Sequence, residues 1–400
     1  MHRRELVPAA LLSGALLAPL AARAAAPTVP LETTLQPYLG RYGLPALAAA
    51  VQTGGTLAAA GAVGTRRAGF DIPVTRRDPF SIGSDTKAMT SLIAAILVEQ
   101  GKLGWQTTVA EVFPELAGTM NAGLKGVTLV QLLSHTSGIP SDNDAFFALM
   151  IESFAQDGLN LDELRYWLVK KWSPLPLESP PGTRFAYSNM GYTLVGAILE
   201  RTAKSTWEEL IVEHVFTPFG FATAGLGPAA SLGRVDAPLG HLPRENAPPK
   251  PMLAGPNGDV PEIIGPAGSA HLSIVEFASW AGWNAGEGRR PPSLVRPETL
   301  RKLHTPVIKI PMPGAAPGTP AAGGYGLGWG TITADYSSEP LIQHSGSNGM
   351  NLAMVMLQPK HDFAMVMATN VGGTKADDAL RALAAALYGR FGPAPKGATP

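Results

Sequence analysis

The sequence predicts an α+β fold in which strands from both ends of the chain form one antiparallel sheet, helices flank it, and a mostly helical lobe is inserted. Three observations support this fold class. Strand-like apolar segments occur near the amino terminus and again in the last third of the chain. Helical patterns dominate between them. The run Ala88–Val98 is too apolar for a surface helix and predicts a buried one.

The domain organisation follows from this order of element types. A chain of 400 residues, 45% of them hydrophobic, can bury a large core. We expect residues 1–26 to be a signal peptide and residues 27–400 to form a single domain. Its α/β half should comprise about residues 27–83 and 267–392, and its helical half about residues 84–266.

Turn signals and periodicity locate the individual elements. Thr53-Gly54-Gly55 is typical of a hairpin turn, and Pro359–Asp362 indicates another. Segment 225–266 is rich in Gly, Pro and Ala, which is typical of a binding loop or lid, the alternative being a surface excursion. The predicted strands are 46–52, 57–63, 325–332, 341–344, 351–358 and 363–369, and the predicted helices are 31–42, a helix from 84 to near 101, 129–134, 162–171, 193–202, 206–216, 273–283, 297–304 and 377–388.

The first residues have the features of an export signal. Arg3 and Arg4 give a positive start, Leu6–Leu20 is apolar, and Ala22–Ala26 offers cleavage sites between small residues. An N-terminal membrane anchor is the alternative, but the apolar run is too short for one. We therefore predict a periplasmic or secreted protein with no stable membrane insertion after cleavage. The arginine pair leaves the twin-arginine route open.

Composition excludes several functional classes. Basic and acidic residues balance at 31 each, and there is no basic run, which argues against a nucleic-acid partner. The chain has no cysteine, so disulfides, cysteine catalysis and thiolate metal sites are excluded. No histidine pair has the spacing of a zinc site such as HExxH. We predict no metal and no cofactor.

Ser84 and Lys87 are the first candidate catalytic residues. Three positions apart at the start of a helix, their side chains lie on one face. A serine hydroxyl needs a base within hydrogen-bond reach, and a lysine whose pKa is lowered by burial can supply it. The helix amino terminus adds N–H groups that can bind an oxyanion. The alternative is a serine N-cap beside a solvated lysine.

Two later motifs carry further candidate residues. Tyr187 can shuttle protons if a cation is near, and Asn189 can both donate to and accept from a substrate amide or ester. His344-Ser345-Gly346 ends an apolar strand, where His344 could meet an anion and the glycine would let a ligand backbone approach. Each alone is compatible with a structural role. His135, at the end of a short helix, is interpreted as structural.

In this order and spacing, SxxK, YxN and HxG resemble the serine β-lactamase-like group, which includes class C β-lactamases, DD-peptidases, D-aminopeptidases and family VIII esterases. The resemblance covers nearly all of the mature chain and implies the β-lactamase/transpeptidase-like fold. Flanking segments also match: Gly101-Lys102-Leu103, Leu132–Gly138, Pro181-Gly182 and Tyr325–Trp329.

The resemblance implies roles for the motif residues. Ser84 would form an acyl-enzyme, with Lys87 and Tyr187 sharing the acid and base roles; which of them takes the first proton stays open. The amides of Ser84 and Ser347 would form the oxyanion hole. Asn189, His344, Ser345 and Gly346 would bind the substrate.

The third motif narrows the expected activity within this group. Class C β-lactamases usually carry Lys-Thr-Gly there, and a histidine is mostly neutral above about pH 6.5. We therefore expect hydrolysis of a small-molecule or peptide amide or ester, as in the D-peptidases or carboxylesterases, with weak β-lactamase activity at most. The alternative is a non-catalytic penicillin-binding or structural relative that keeps the fold. The sequence does not indicate the oligomeric state.

Overall fold

The computed structural model describes residues 27–253, 255, 258–310 and 323–393. The predicted signal peptide lies outside these ranges. Within them, no helix is long and apolar enough to cross a bilayer.

Strands from both ends of the chain form the main sheet, as predicted. The strands in chain order are β1 (Val29–Pro30), β2 (Ala46–Thr53), β3 (Thr56–Gly64), β4 (Pro79–Ser81), β5 (Gly225–Leu226), β6 (His241–Leu242), β7 (Lys250–Pro251), β8 (Ala270–Ser273), β9 (Ile308–Ile310), β10 (Gly323–Tyr325), β11 (Gly330–Ile332), β12 (Leu341–Ser347), β13 (Leu352–Gln358) and β14 (Phe363–Thr369). Within the described ranges, nine of them form the main sheet in the order β1-β3-β2-β14-β13-β12-β11-β10-β9.

Helices cover both faces of the sheet and build the inserted lobe. Short 3-10 turns span Gly83–Asp85, Pro114–Leu116, Glu262–Ile264 and Pro359–His361, and Val212–Phe216 is a π-helical segment. The α-helices are α1 (Glu32–Tyr42), α2 (Thr86–Glu99), α3 (Val109–Val112), α4 (Ala122–Lys125), α5 (Leu129–Leu133), α6 (Asp144–Ser153), α7 (Leu161–Trp172), α8 (Asn189–Ala203), α9 (Trp207–Ile211), α10 (Thr217–Phe219), α11 (Gly265–Gly268), α12 (Ile274–Ala285), α13 (Pro297–His304) and α14 (Thr374–Phe391).

The alternation of side chains along the strands divides the core between the two sheet faces. On β14, Val366 belongs to the cluster that contains α2, α8 and α12, whereas Met365 and Met367 belong to the cluster with α1 and α14. Helix α2 thus lies in the core between the sheet and the helical lobe. Its burial fixes the position of the turn that precedes it.

Several element predictions need correction. The pairing of β1 with β3 is parallel, so the sheet is mixed rather than wholly antiparallel. The predicted strand 325–332 is the hairpin β10–β11, because Gly328 has a positive φ of 82° and turns the chain. A Cβ on Gly328 would lie 3.0 Å from the Lys87 carbonyl oxygen, so this turn packs directly on α2.

The described residues of segment 225–266 pack against one end of the main sheet. Its residue His241 is fully buried; Ala68 N donates to His241 Nε2 at 3.0 Å, and His241 Nδ1 lies 2.8 Å from the Asn370 carbonyl oxygen. Asn348 Nδ2 donates to Asp259 Oδ1 at 2.7 Å. The Asp259 contact connects the segment to the turn that follows β12, and the His241 contacts connect it to residues that follow β3 and β14.

Candidate active site

Ser84 lies in the 3-10 turn Gly83–Asp85, which leads directly into α2, whereas the sequence predicted it in the first turn of the helix itself. Gly83 has a φ of +49°, and a Cβ there would lie 2.6 Å from Ser347 N. Only glycine therefore fits at this contact. Thr86 Oγ1 donates a hydrogen bond to the Gly83 carbonyl oxygen at 2.6 Å, which stabilises the turn. Ser84 is half-buried, whereas its neighbours Gly83 and Asp85 are buried.

Lys87 is fully buried, and its amine points at Ser84. Its Nζ lies 3.0 Å from Ser84 Oγ, 2.7 Å from Asn189 Oδ1 and 2.7 Å from the Ala267 carbonyl oxygen. Burial lowers the pKa of Lys87 to about 7, although Asp142 and Asp85 act in the opposite direction. A neutral amine has two N–H donors and one lone pair. It can donate to the amide and carbonyl oxygens and accept from the serine hydroxyl.

Tyr187 and Asn189 reach the same place from the start of α8. Ser188 N-caps this helix by accepting from Gly191 N at 3.2 Å. Lys87 Nζ lies 4.8 Å from the centre of the Tyr187 ring. Burial raises the pKa of Tyr187, and a hydrogen bond with Ser84 partly opposes that rise. Tyr187 is therefore a protonated phenol at neutral pH.

His135 supports this second motif from behind. Its Nδ1 accepts from Ser188 N at 3.1 Å, and its ring centre lies 4.3 Å from that of Tyr187. Burial lowers the pKa of His135 well below its ordinary value, so the ring is neutral and can accept this hydrogen bond. These contacts agree with a structural role for His135.

Asp142 is a site residue that the sequence did not reveal. Asn189 Nδ2 donates to Asp142 Oδ2 at 2.6 Å, and Asn189 N donates to Asp142 Oδ1 at 3.2 Å. Because the Asp142 carboxylate accepts a hydrogen bond from the Asn189 NH2 group, the amide oxygen of Asn189 faces Lys87. Asp142 lies 47 positions before Asn189, between two other polar residues, and no local signal distinguishes it.

The third motif lies within β12, which continues to Ser347 rather than ending at His344 as predicted. An ideal Cβ on Gly346 would lie 1.9 Å from the Ile82 carbonyl oxygen and 2.4 Å from Ser84 N. The glycine thus makes room for the backbone of the Ser84 turn, not for a ligand backbone as we predicted. Ser345 and Ser347 are exposed. His344 is only 4% exposed, so its ring lies in the interior and not on the exposed side of the strand.

The structure therefore brings Ser84, Lys87, Tyr187 and Asn189 together, with the Ser347 amide against the same turn. Across the described residues, no group of three or more acidic or histidine side chains could hold a metal ion.

Comparison with known proteins identifies the family of the chain. The sequence model of the beta-lactamase family matches residues 31–390. The chain belongs to the beta-lactamase family. Membership supports a serine-hydrolase kind of function, and it accounts for the mixed sheet flanked by helices.

Two curated relatives illustrate this similarity, and the first of them has a penicillin-binding name. The chain is 26% identical over 316 residues to penicillin-binding protein 4 of Amycolatopsis lactamdurans, covering 78% of this chain and 77% of that protein. It is 25% identical to protein flp of Staphylococcus aureus strain MW2 over 73% of this chain, but spans only 53% of that protein.

Solved structures agree on the fold. An octameric penicillin-binding protein homologue from Pyrococcus abyssi superposes with a TM-score of 0.70 and 26% identity, over 89% of this chain and 76% of that one. A penicillin-binding protein from Bacillus halodurans gives a TM-score of 0.66 at 21% identity, over 89% and 99% of the two chains.

The carboxylate of Asp142 gives a first testable prediction. Replacing Asp142 by Ala frees the Asn189 amide to rotate, so we expect kcat/KM for a hydrolysed substrate to fall about tenfold to a hundredfold. Asp142 also raises the pKa of Lys87. Removing Asp142 should therefore shift the acid limb, which is the fall of kcat/KM at low pH, to lower pH. Steady-state kinetics across pH measure both effects.

Asp157→Ala, at an exposed aspartate, is the matched control and should leave both quantities unchanged. An unshifted acid limb in Asp142→Ala would contradict the electrostatic role assigned to Asp142.

Proposed function

We propose that the chain is an exported serine hydrolase that cleaves an amide or ester through an acyl-enzyme on Ser84. The observation that carries this proposal is the contact of 3.0 Å between Lys87 Nζ and Ser84 Oγ, at a buried lysine whose pKa of about 7 leaves a large share of the amine neutral at that pH. A neutral amine at this distance is a general base for the hydroxyl.

In the proposed first step, Ser84 Oγ attacks the substrate carbonyl carbon while Lys87 Nζ accepts the hydroxyl proton. Lys87 takes this role rather than Tyr187, because burial keeps the phenol protonated. Asn189 and Ala267 accept hydrogen bonds from the resulting ammonium group. The negative oxygen of the tetrahedral intermediate binds the amides of Ser84 and Ser347, which the close packing of Gly83 and Gly346 holds together.

In the second step, Tyr187 donates a proton to the leaving group and regains one from the Lys87 ammonium. The carbon–oxygen or carbon–nitrogen bond of the substrate breaks, and the acyl group remains on Ser84. A water molecule then attacks the acyl carbon, with the same groups removing its proton, and the acid product leaves.

Activity should depend on pH through Lys87. Its pKa is lowered to about 7, and only the neutral amine can act as a base. We expect kcat/KM to fall as the pH decreases through about 7 and to be steady above it until another group titrates. A pH profile of p-nitrophenyl ester hydrolysis, corrected for the spontaneous rate, measures this limb. If kcat/KM fell only near pH 4, as for an ordinary carboxyl group, the assignment of Lys87 as the base would be contradicted.

The substrate class is tested with p-nitrophenyl esters, D-Ala-D-Ala peptides and a chromogenic cephalosporin. We expect turnover of esters or D-peptides and weak turnover of the cephalosporin. The names of the relatives favour a second candidate, a penicillin-binding protein that acylates and stalls. Stoichiometric labelling without turnover would support that candidate, and no reaction with any compound would contradict both.

Export rests on the first 26 residues, with the arginine pair, the apolar run and the small residues at 22–26. We propose a periplasmic or secreted location after cleavage near Ala24 to Ala26. Sequencing the amino terminus of protein recovered from the cell envelope or medium tests this. An intact Met1 on the mature protein would contradict it.

A further inference from the structure

A buried arginine in the helical lobe uses every hydrogen-bond donor that it has. Arg165 on α7 is fully buried. Its Nε donates to the Ile263 carbonyl oxygen at 2.9 Å, and its Nη2 donates to the Glu262 carbonyl oxygen at 3.0 Å. The remaining N–H groups donate to the carboxylates of Glu200 and Glu208. All five donors of the guanidinium group thus have acceptors, and Arg165 joins two backbone carbonyls to two acids.

This ion cluster of Arg165, Glu200 and Glu208 is largely removed from water. Glu200 is 5% exposed, and its Oε2 has no hydrogen-bond partner among the residues that the structure describes. A buried ion pair often adds no more stability than apolar side chains of similar volume would. Apolar side chains could not, however, hold two backbone carbonyls in a fixed direction. The geometry that the arginine imposes on these carbonyls is therefore its distinctive contribution.

The two carbonyls belong to the turn that leads into α11. Glu262–Ile264 is a 3-10 turn, and α11 begins at the next residue, Gly265. An ideal Cβ on Gly265 would lie 3.3 Å from Arg165 Nη2, and one on Gly196 of α8 would lie 2.3 Å from Pro266 Cγ. Helix α11 is thus packed closely against Arg165 and α8 and has little room to shift.

Helix α11 carries the backbone carbonyl that the proposed base contacts. Lys87 Nζ lies 2.7 Å from the Ala267 carbonyl oxygen, 2.7 Å from Asn189 Oδ1 and 3.0 Å from Ser84 Oγ. When the amine is neutral, its two N–H groups can donate to the first two oxygens, which leaves its lone pair directed at the serine hydroxyl. If the Ala267 carbonyl moved, the amine could rotate and the lone pair would lose this direction.

A second chain of hydrogen bonds runs from the ion cluster to α11. Trp207 N donates to Glu200 Oε1 at 3.0 Å, and Trp207 Nε1 donates to Thr90 Oγ1 at 3.1 Å. Thr90 Oγ1 in turn donates to the Pro266 carbonyl oxygen at 2.8 Å. Both connections therefore end on α11, directly beside Ala267.

We propose that Arg165 is a positioning residue for the Ser84 reaction. It holds the start of α11 so that the Ala267 carbonyl, together with Asn189, directs the Lys87 lone pair at the serine hydroxyl. This inference rests on the proposed acyl-enzyme function and adds to it a residue outside the three motifs. Arg165 acts through the backbone and takes no part in the proton transfer itself.

Replacing Arg165 by Lys tests this role. Lysine keeps a positive charge for the two acids, but its single ammonium group cannot reproduce the planar fork that also reaches both carbonyls. We expect kcat to fall about tenfold while KM stays within about twofold of the wild-type value. An ammonium group that loses an acceptor is disfavoured, so the acid limb of kcat/KM should shift to lower pH by about half a unit. Steady-state kinetics across pH, with a substrate that the wild type hydrolyses, measure these effects.

The acid limb reports on the Ala267 contact because Arg165→Lys alters none of the titratable groups that face the Lys87 amine. Those groups are Asp85, His135, Asp142, Tyr187, Tyr192 and His344. Glu200 and Glu208, which face Arg165 itself, keep a cation in this variant. A shifted limb would therefore not come from a changed charge.

Arg290→Lys is the matched control. Arg290 Nη2 likewise donates to a backbone carbonyl, that of Gly282 on α12, and to the carboxylate of Asp362, both at 2.7 Å, away from the three motifs. This variant should have a lower melting temperature but wild-type kcat and acid limb. If Arg165→Lys folded and also lowered only the melting temperature, Arg165 would be merely structural and the inference would be overturned.

Thr90→Val tests α11 through the second connection, and it decides the question if Arg165→Lys does not fold. Valine has the shape of threonine but cannot donate to the Pro266 carbonyl. We expect kcat to fall and the acid limb to shift in the same direction as in Arg165→Lys. Wild-type kcat and limb in folded Thr90→Val would overturn the inference while leaving the acyl-enzyme intact. Absence of hydrolysis by the wild type, with no acyl group on Ser84, would overturn the proposed function and this inference with it.

Discussion

Replacing Ser84 by Ala should reduce ester hydrolysis by about 10⁴-fold or more, leaving only what the remaining site provides by binding and by the oxyanion-hole amides. The side chain supplies the oxygen that forms the acyl-enzyme, and no other hydroxyl on the turn Gly83–Asp85 can replace it. Initial rates with a neutral p-nitrophenyl ester, with purified variant and wild type at equal concentration, measure the loss.

The matched control is Ser279→Ala, which removes a half-buried serine hydroxyl from α12, away from the three motifs. Alanine is the best helix former, so this variant should fold and keep wild-type activity. If Ser84→Ala kept more than a tenth of the wild-type rate while Ser279→Ala behaved normally, Ser84 would not be the nucleophile.

Lys87→Met should cause the next largest loss, about 10³-fold in kcat/KM. Methionine fills a similar volume at this fully buried position, so the chain should fold, but it can neither accept the Ser84 proton nor hold Asn189. The acid limb near pH 7 should disappear from whatever activity remains. Steady-state kinetics from pH 5 to pH 9 measure both effects.

Lys102→Met makes the same change at an exposed lysine and serves as the control. A Lys87→Met variant that retains both substantial activity and the limb near pH 7 would assign the proton transfer to another group. The melting temperatures of both variants separate this outcome from simple unfolding.

The Ser84–Lys87 contact could be predicted from sequence because it is local. Residues three apart in a tight turn or helix lie side by side whatever the rest of the chain does. The apolar run after Lys87 predicted its burial, and burial accounts for most of the pKa change. The strands at both chain ends were likewise predictable, because sheet-forming segments keep their apolar patterns.

The roles of Asp142, Asp85 and Gly346 depend on contacts between distant segments. Nothing in the sequence Ser-Asp-Asn-Asp at 141–144 indicates which acid meets Asn189. Asp85 has the pattern of a solvated helix start, yet it is buried in the turn on which β12 packs. Gly346 suggested space for a ligand, but the Ile82 backbone occupies that space. The two-residue strand β1 is too short for any periodic pattern.

The central claim is that Ser84 carries the acyl group during turnover, and trapping that intermediate tests it most directly. The wild-type protein is mixed with an activated acetyl ester, quenched in acid within the first turnovers, and analysed by intact-protein mass spectrometry followed by peptide mapping. We predict a single acetyl adduct on the peptide that contains Ser84, absent from Ser84→Ala and present in Ser279→Ala. Turnover without an adduct, or an adduct on any other residue, would contradict the account.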